Sequence, residues 1–166
     1  MSDMSAEVRR ALDVAVAAIG GSAREGQIEM AEAVANALTN RHHLMVQAGT
    51  GTGKSLAYLI PGIVHGRKVL VATATLALQR QLVDRDLPAV VPALEKELGR
   101  EISYAIYKGV GNYVCLQKMN SDEVDPDGEL VMEVSSLEKD AKRLIAWAKT
   151  PGVSGDRDDA PEVDRR

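Results

Sequence analysis

The sequence has 166 residues, of which 45% are hydrophobic and only 3% aromatic, and Cys115 is its single cysteine. A single cysteine excludes an internal disulfide, no apolar run reaches the about 18 residues of a membrane-spanning helix, and we expect a cytoplasmic protein. The net charge of −4 arises in residues 121–166, which carry −6, whereas residues 1–120 carry +2, so charge neither requires nor excludes a nucleic-acid partner.

Helix-like and strand-like patterns alternate along the first part of the chain. The predicted helices are segments with apolar residues at helical spacing: residues 5–19, 25–39, 53–64, 76–87 and 92–98. The predicted strands are short apolar runs at residues 43–46, 68–73 and 102–107. Pro88 is expected to end the fourth helix. This alternation predicts an α/β fold, in which helices cover both faces of a mostly parallel sheet.

Beyond Cys115 the composition becomes polar and acidic. Residues 120–128 are predicted to form a charged linker that contains Pro and Gly, and residues 129–149 place apolar side chains at the spacing of an amphipathic helix. Residues 150–166 have little apolar surface to bury, so we expect a disordered acidic tail.

A glycine-rich segment, AGTGTGKS at residues 48–55, lies between the first predicted strand and the third predicted helix. It matches the P-loop pattern G-x-x-x-x-G-K-[ST], except that Ala48 takes the first position. The backbone N–H groups of such a loop converge on a phosphate, and the following helix adds the positive end of its dipole. The expected nucleotide cradle comprises Ala48, Gly49, Thr50, Gly51, Thr52, Gly53, Lys54 and Ser55.

Two residues of this cradle carry the expected chemistry. Lys54 is predicted to reach the β- and γ-phosphates, and Ser55 to ligate Mg²⁺ through its hydroxyl. In the helix that follows, Pro61 predicts a kink or an early helix end. The combination of strand, loop, Lys-Ser pair and helix favours a phosphate site over a chance glycine-rich turn, but a P-loop alone does not identify the enzyme class.

Two further segments are candidates for recognition. Arg24 and Gln27 stand at the start of the second predicted helix, and a glutamine amide can distinguish adenine from guanine because it both donates and accepts hydrogen bonds. An ordinary helix N-terminus is the alternative. Thr73 ends the second predicted strand, and Thr75 and Gln79 follow it, where hydroxyls and helix amides could hold a phosphate backbone. The alternative there is a threonine that caps a helix.

The ordered set of Arg24 with Gln27, AGTGTGKS, and VATATLALQRQL at residues 71–82 resembles superfamily 2 DNA helicases. The segment YKGVGNYVC at residues 107–115 is similar to the DinG/XPD branch, in which such a stretch supplies the first of four cysteine ligands to a [4Fe–4S] cluster. The resemblance covers residues 20–118. It implies a RecA-like P-loop layer, which is incomplete here and is followed by a C-terminal helix and the tail.

The resemblance also implies roles and boundaries. Arg24 and Gln27 would sense the adenine of ATP, Thr73, Thr75 and Gln79 would contact single-stranded DNA near duplex junctions, and Cys115 would be a first cluster ligand. Residues 1–118 would be the first part of motor domain 1, residues 119–149 the start of the iron–sulfur-type insertion, and residues 150–166 the tail. The full motor would act as a monomer with 5′–3′ polarity, without a membrane partner.

Two requirements of a working helicase are not met by this sequence. Hydrolysis needs an acidic pair for Mg²⁺ and the attacking water, written D-E-A-H in this group, and no such run occurs. A [4Fe–4S] cluster needs four cysteines, so it is expected only in a longer protein, and we interpret the sequence as ending inside the cluster segment. This chain alone is therefore expected to bind ATP without unwinding DNA.

Two other functions remain open from the sequence. One is a non-catalytic nucleotide- or DNA-binding module that retains the P-loop. The other is a different P-loop enzyme, such as a small-molecule kinase.

Overall fold

The computed structural model describes residues 3–49, 51–117 and 134–162, and they divide into two compact units, residues 1–106 and 107–166. The helices of the first unit are α1 (Asp3–Ala18), α2 (Glu25–Asn40), α3 (Lys54–His65), α4 (Leu76–Arg80), a π-helical turn (Gln81–Asp86) and α5 (Leu87–Leu98). Within the described ranges, none of the helices is both long and apolar enough to cross a membrane.

The core of the first unit is built where α1, α2, α3 and α5 pack on one another. Its largest fully buried members are Val8 and Leu12 of α1, Ile60 of α3, and Val90 and Leu94 of α5. Small alanines line the same core, which lets the helices approach closely. The predicted helices at residues 5–19 and 25–39 are therefore confirmed as α1 and α2, with bounds shifted by one or two residues.

Helix α3 agrees with the helix predicted at residues 53–64 and continues past Pro61, so of the kink or early end expected there, the early end is wrong. Pro61 is fully buried, and the helix runs on to His65, where Gly66 ends it with a left-handed backbone, φ 73°. Proline removes one backbone hydrogen bond inside a helix. The burial of Leu59, Ile60 and Val64 on both sides of it keeps the segment helical.

The chain also stays helical past Pro88, which the sequence predicted to be a terminator. Pro88 stands in the first turn of α5, directly after the π-helical turn, in which the Leu87 N–H donates to the Leu82 carbonyl. The preceding π-helical turn joins α4 to α5 and buries Leu82. The separate helix predicted at residues 92–98 is the second half of α5, and Pro92 lies inside it.

The predicted parallel sheet is not formed among the described residues. The segments 43–46, 68–73 and 102–107 are non-helical and have no ladder partner there. Several of their apolar side chains are exposed, with 97% of Met45 and 89% of Leu70 accessible. An apolar run predicts burial, but a strand also needs a neighbouring strand about 4.8 Å away, and composition does not specify that partner.

The second unit contains a 3₁₀ turn (Val110–Asn112) and helix α6 (Val134–Ala148). The predicted helix at residues 129–149 agrees with α6, although residues 129–133 and the predicted linker at 120–128 lie outside the described residues. The tail differs from the expectation, because residues 150–162 are ordered into turns. An isolated antiparallel bridge pairs Asp156 with Tyr113. Residues 163–166 lie outside the described part of the chain.

Candidate nucleotide-binding site

The glycine-rich loop turns sharply into α3 through two left-handed glycines. Gly51 and Gly53 both have φ 77°, a conformation that is strained for residues with a Cβ. Gly53 is the N-cap of α3 and offers no side-chain cap, which leaves the first N–H groups of the helix for an anion. The Thr52 hydroxyl donates to the Gly49 carbonyl at 3.0 Å and braces the turn. Thr50 of the predicted cradle lies outside the described residues.

The Lys54 ammonium lies inside the curve of the same loop. Its Nζ donates to the Ala48 carbonyl at 3.2 Å and also to the Gly49 carbonyl. The cation is therefore held by the backbone that would surround a phosphate. Ser55, the next residue of α3, is partly buried and lines a cleft beside the loop. Lys54 thus offers a cation for a phosphate, and Ser55 offers a hydroxyl for a metal ion bound to that phosphate.

The Arg24–Gln27 segment contacts the loop directly. Gln27 is only 6% exposed, and its Nε2 donates to the Gly53 carbonyl at 3.0 Å. Arg24 donates from Nη1 to the Gly51 carbonyl at 2.5 Å. A Cβ added to Gly53 would lie 2.9 Å from Gln27 Cδ and even closer to its Nε2. Two side chains, 27 and 26 residues before their partner glycines, thus bind the carbonyls of the two glycines that shape the loop.

These residues border a cleft of about 690 Å³, a volume in the range of small-molecule sites. Gly51, Thr52 and Gly53 of the loop line it together with Arg24, Gln27 and Ser55, whereas Ala48, Gly49 and Lys54 do not. Apolar side chains that could cover a base also line it: Val16, Ile19, Leu56, Ala89 and Val90. Gly21 and Ser22, which follow the end of α1, also line the cleft.

Another part of the cleft lining was not predicted from the sequence. It comes from the π-helical turn, where Gln81 and Arg85 both donate to the Asp86 carboxylate, at 3.0 and 3.1 Å. Gln81, Arg85 and Asp86 do not belong to the P-loop pattern. Their position depends on the π-helical register between α4 and α5, which no spacing in the sequence indicates.

The predicted DNA-contact residues do not line this cleft. Thr75 is the N-cap of α4, and its hydroxyl accepts a hydrogen bond from the Leu78 N–H at 3.2 Å. Thr73 donates to the Thr75 carbonyl at 3.1 Å. The helix-cap interpretation of this segment is therefore confirmed, and Gln79 follows within the same short helix.

Cys115 lies in the second unit, where its side chain is exposed. No three His, Cys, Asp or Glu side chains in the described parts of the chain come together as a metal site. One thiolate does not fit a four-iron cluster, and the sequence contains no other cysteine.

A buried charge cluster lies near Cys115 in the same unit. Lys108 contacts Asp156, and its Nζ lies 2.6 Å from Asp158. Burial alone would lower the pKa of Lys108, but the hydrogen bonds and negative charges of the two aspartates outweigh it and raise this pKa above 10.5. Burial would likewise raise the pKa of Asp156, but the bond and charge of Lys108 and the Asp158 N–H hold it below 3.8.

Comparison with known proteins gives one family and several long relatives. The DEAD/DEAH box helicase family matches residues 27–111, just over half of the chain. The chain is 51% identical over 169 residues to the ATP-dependent helicase DinG of Mycobacterium tuberculosis (strain ATCC 25177 / H37Ra), covering 94% of this chain and 25% of that protein. It is 40% identical over 137 residues to the ATP-dependent DNA helicase YoaA of Escherichia coli K12, covering 82% and 20% respectively.

A further relative has a different name. The chain is 33% identical over 124 residues to the 3'-5' exonuclease DinG of Bacillus subtilis (strain 168), covering 71% of this chain and 13% of that protein. The chain thus spans about a quarter or less of the length of these relatives. No solved structure matches it.

Proposed function

The chain belongs to the DEAD/DEAH box helicase family, and from this premise we propose that it is the ATP-binding part of a DinG-like DNA helicase motor. The observation that carries the proposal is the pair of contacts from Gln27 to Gly53 and from Arg24 to Gly51. They join the adenine-sensing segment implied by the resemblance to the phosphate loop. The adenine and the phosphates of one ATP molecule would then bind to two segments that are hydrogen-bonded to each other.

Each part of the site has a defined task in this proposal. The loop N–H groups and the start of α3 bind the phosphates, Lys54 turns from the loop carbonyls to the β- and γ-phosphates, and Ser55 holds Mg²⁺. The apolar side chains of the cleft cover the base, and Gln27 reads its edge. Gln27 can do this while bonded to Gly53, because that bond uses only one donor of its amide.

Base selectivity tests the proposal. Affinities of ATP and GTP would be measured by calorimetry for the unchanged chain, Gln27→Ala and Gln27→Glu. We expect a preference for ATP that both variants lose, because neither has the amide. An equal loss of affinity for ATP and GTP would show that Gln27 only supports the loop. Unchanged affinities in both variants would contradict a role for Gln27 in the site.

Hydrolysis and unwinding are proposed for a longer protein that also holds an acidic pair and a second motor lobe. Within it, Cys115 would be the first of four ligands to a [4Fe–4S] cluster, which this chain cannot hold by itself. The three apolar segments 43–46, 68–73 and 102–107 would be strands of a RecA-like parallel sheet. Their exposed side chains, above all Met45 and Leu70, support this because such a sheet is buried on both faces. Residues 1–118 would form the motor part and residues 119–149 the start of the insertion.

The proposed partner is single-stranded DNA at duplex junctions, met by a monomeric, cytoplasmic motor. Thr73, Thr75 and Gln79 are proposed to meet the DNA backbone from the start of α4. Support comes from the exposure of Thr75 and of its neighbours Ala74 and Leu76, which leaves this helix start accessible. Fluorescence anisotropy with a labelled oligonucleotide would test it. We expect weaker binding for Thr73→Ala and Gln79→Ala than for the unchanged chain, and equal binding would exclude the contact.

A further inference from the structure

The second unit contains a buried ion cluster that the proposed function does not use. Lys108 has only 2% of its side chain exposed, and Asp156, which it contacts, has 8%. Asp158 is the outer member, with 34% exposed. Taking charges out of water is costly, and a buried ion pair often stabilises a protein no more than an apolar pair of the same size. The cluster therefore calls for an explanation other than stability.

The cluster lies where two distant parts of the chain meet. The Val114 N–H donates to the Gly155 carbonyl at 2.9 Å, and the Arg157 N–H donates to the Asn112 carbonyl at 2.9 Å. These bonds flank the antiparallel bridge between Tyr113 and Asp156. Asp156 is thus both a partner in the bridge and the inner partner of the lysine.

Each side of this meeting point is also held locally. On the first side, the Lys108 N–H donates to the Tyr113 hydroxyl at 3.1 Å, and the Asn112 N–H donates to the Gly109 carbonyl at 2.8 Å. On the second, the Asp158 N–H donates to the Asp156 carboxylate at 3.0 Å. The segment that carries Cys115 therefore has a fixed backbone up to Val114, the residue before the cysteine.

We propose that Lys108 is a positioning residue whose ion cluster closes residues 107–115 and 154–159 into a clasp that sets the register of the two segments and fixes the backbone leading to Cys115. A slip by one residue would turn Asp156 away from the lysine and leave buried charges unpaired. The clasp also brings together both ends of the excursion that contains α6. It rests on contacts within the second unit only, so it stands or falls independently of the nucleotide site.

Amide hydrogen exchange on the 166-residue chain tests the clasp, with Val114 and Arg157 as reporters. Lys108→Met removes the charge and keeps the length, and Asp156→Asn keeps the shape. We expect exchange at both amides to accelerate by about tenfold or more in each variant, because one partner is left buried and unpaired. Lys108→Arg, which keeps the charge, should retain most of the protection, and Asp158→Asn should show a smaller acceleration because that carboxylate is partly exposed.

A matched control and a second readout separate positioning from general destabilisation. Arg143→Gln removes an exposed ion pair of α6, in which Nη1 lies 3.7 Å from Asp140, and should leave both amides unchanged. A nitroxide attached to Cys115, the only thiol of the chain, reports local motion by its electron paramagnetic resonance line shape. We expect a narrower line in Lys108→Met at unchanged helix content. Protection within twofold of the unchanged chain, or equal losses in Arg143→Gln, would overturn the proposal.

Discussion

At the scale of single residues, the sequence indicated which residues form the candidate site but not which hydrogen bonds they make. The P-loop pattern predicted the roles of Lys54 and Ser55, and the resemblance implied an adenine-sensing role for Arg24 and Gln27. Spacing alone did not indicate that both of the latter bond to loop carbonyls, since a distance along the chain does not specify a direction in space. Gly53 is where these predictions meet, because it needs φ 77° and also contacts Gln27.

Gly53→Ala should therefore weaken ATP binding by about tenfold or more, because the new Cβ is strained at positive φ and displaces the Gln27 amide. Calorimetry with ATP would measure the loss, and circular dichroism would check that α3 is retained. Gly26→Ala is the matched control, because a Cβ there meets nothing within 4 Å. Equal ATP affinity of Gly53→Ala and Gly26→Ala would contradict the loop geometry.

The charges of Lys108 and Asp156 predict a pH range for the second unit. The lowered pKa of Asp156 means that its stabilising effect is present above 3.8 and is lost as pH falls through the folded-state value. The raised pKa of Lys108 means that its effect is present below 10.5 and is lost as pH rises through the folded-state value. After correction for intrinsic exchange, protection of the Arg157 amide should be constant from about pH 5 to about pH 9. A midpoint inside that range would contradict the ion cluster.

At the scale of elements, the predicted amphipathic helices are formed, whereas the predicted parallel sheet is not formed among the described residues. Apolar spacing located α1, α2 and α3 because each buries one face within a single segment. Pro88 was misinterpreted as a helix end, because the helical backbone continues through the π-helical turn into α5 and holds Pro88 in the first turn of α5. The segments 43–46 and 68–73 have strand-like composition, but their pairing depends on residues far away in sequence.

The cap of α4 gives a test at this scale. Thr75→Ala removes the acceptor of the Leu78 N–H and should lower the free energy of unfolding by about 1 kcal/mol. Thr75→Ser keeps the hydroxyl and should cost only a small part of that. Urea unfolding, together with exchange at the Leu78 amide, would measure both. If alanine and serine were equally stable, the hydroxyl would not be the cap.

At the scale of the whole molecule, two units are held by different physics. The first has an apolar core formed by packed helices, whereas the sequence predicted helices packed on a parallel sheet. The second is ordered around buried charges. Disorder was predicted for its residues 150–162 because they have little apolar surface to bury. Composition takes no account of a specific bond such as that between Lys108 and Asp156.

Truncation of a core residue of the first unit should cost much more stability than truncation of an exposed apolar residue. Ile60→Ala should lower the free energy of unfolding by about 2–5 kcal/mol, because it leaves a cavity among the packed helices. Leu70→Ala should change it by less than about 0.5 kcal/mol, because 89% of that side chain is already exposed. Denaturant unfolding measures both. A large cost for Leu70→Ala would show that the segment 68–73 is buried in solution.

The central claim is that this chain holds ATP through its P-loop, and a titration of the 166-residue protein with ATP and Mg²⁺ tests it most directly. Calorimetry would be run on the unchanged chain and on Lys54→Ala, with phosphate release followed in the same samples. We expect saturable binding that Lys54→Ala loses at an unchanged helix content, and no sustained phosphate release. Equal ATP affinity of Lys54→Ala and the unchanged chain would contradict it.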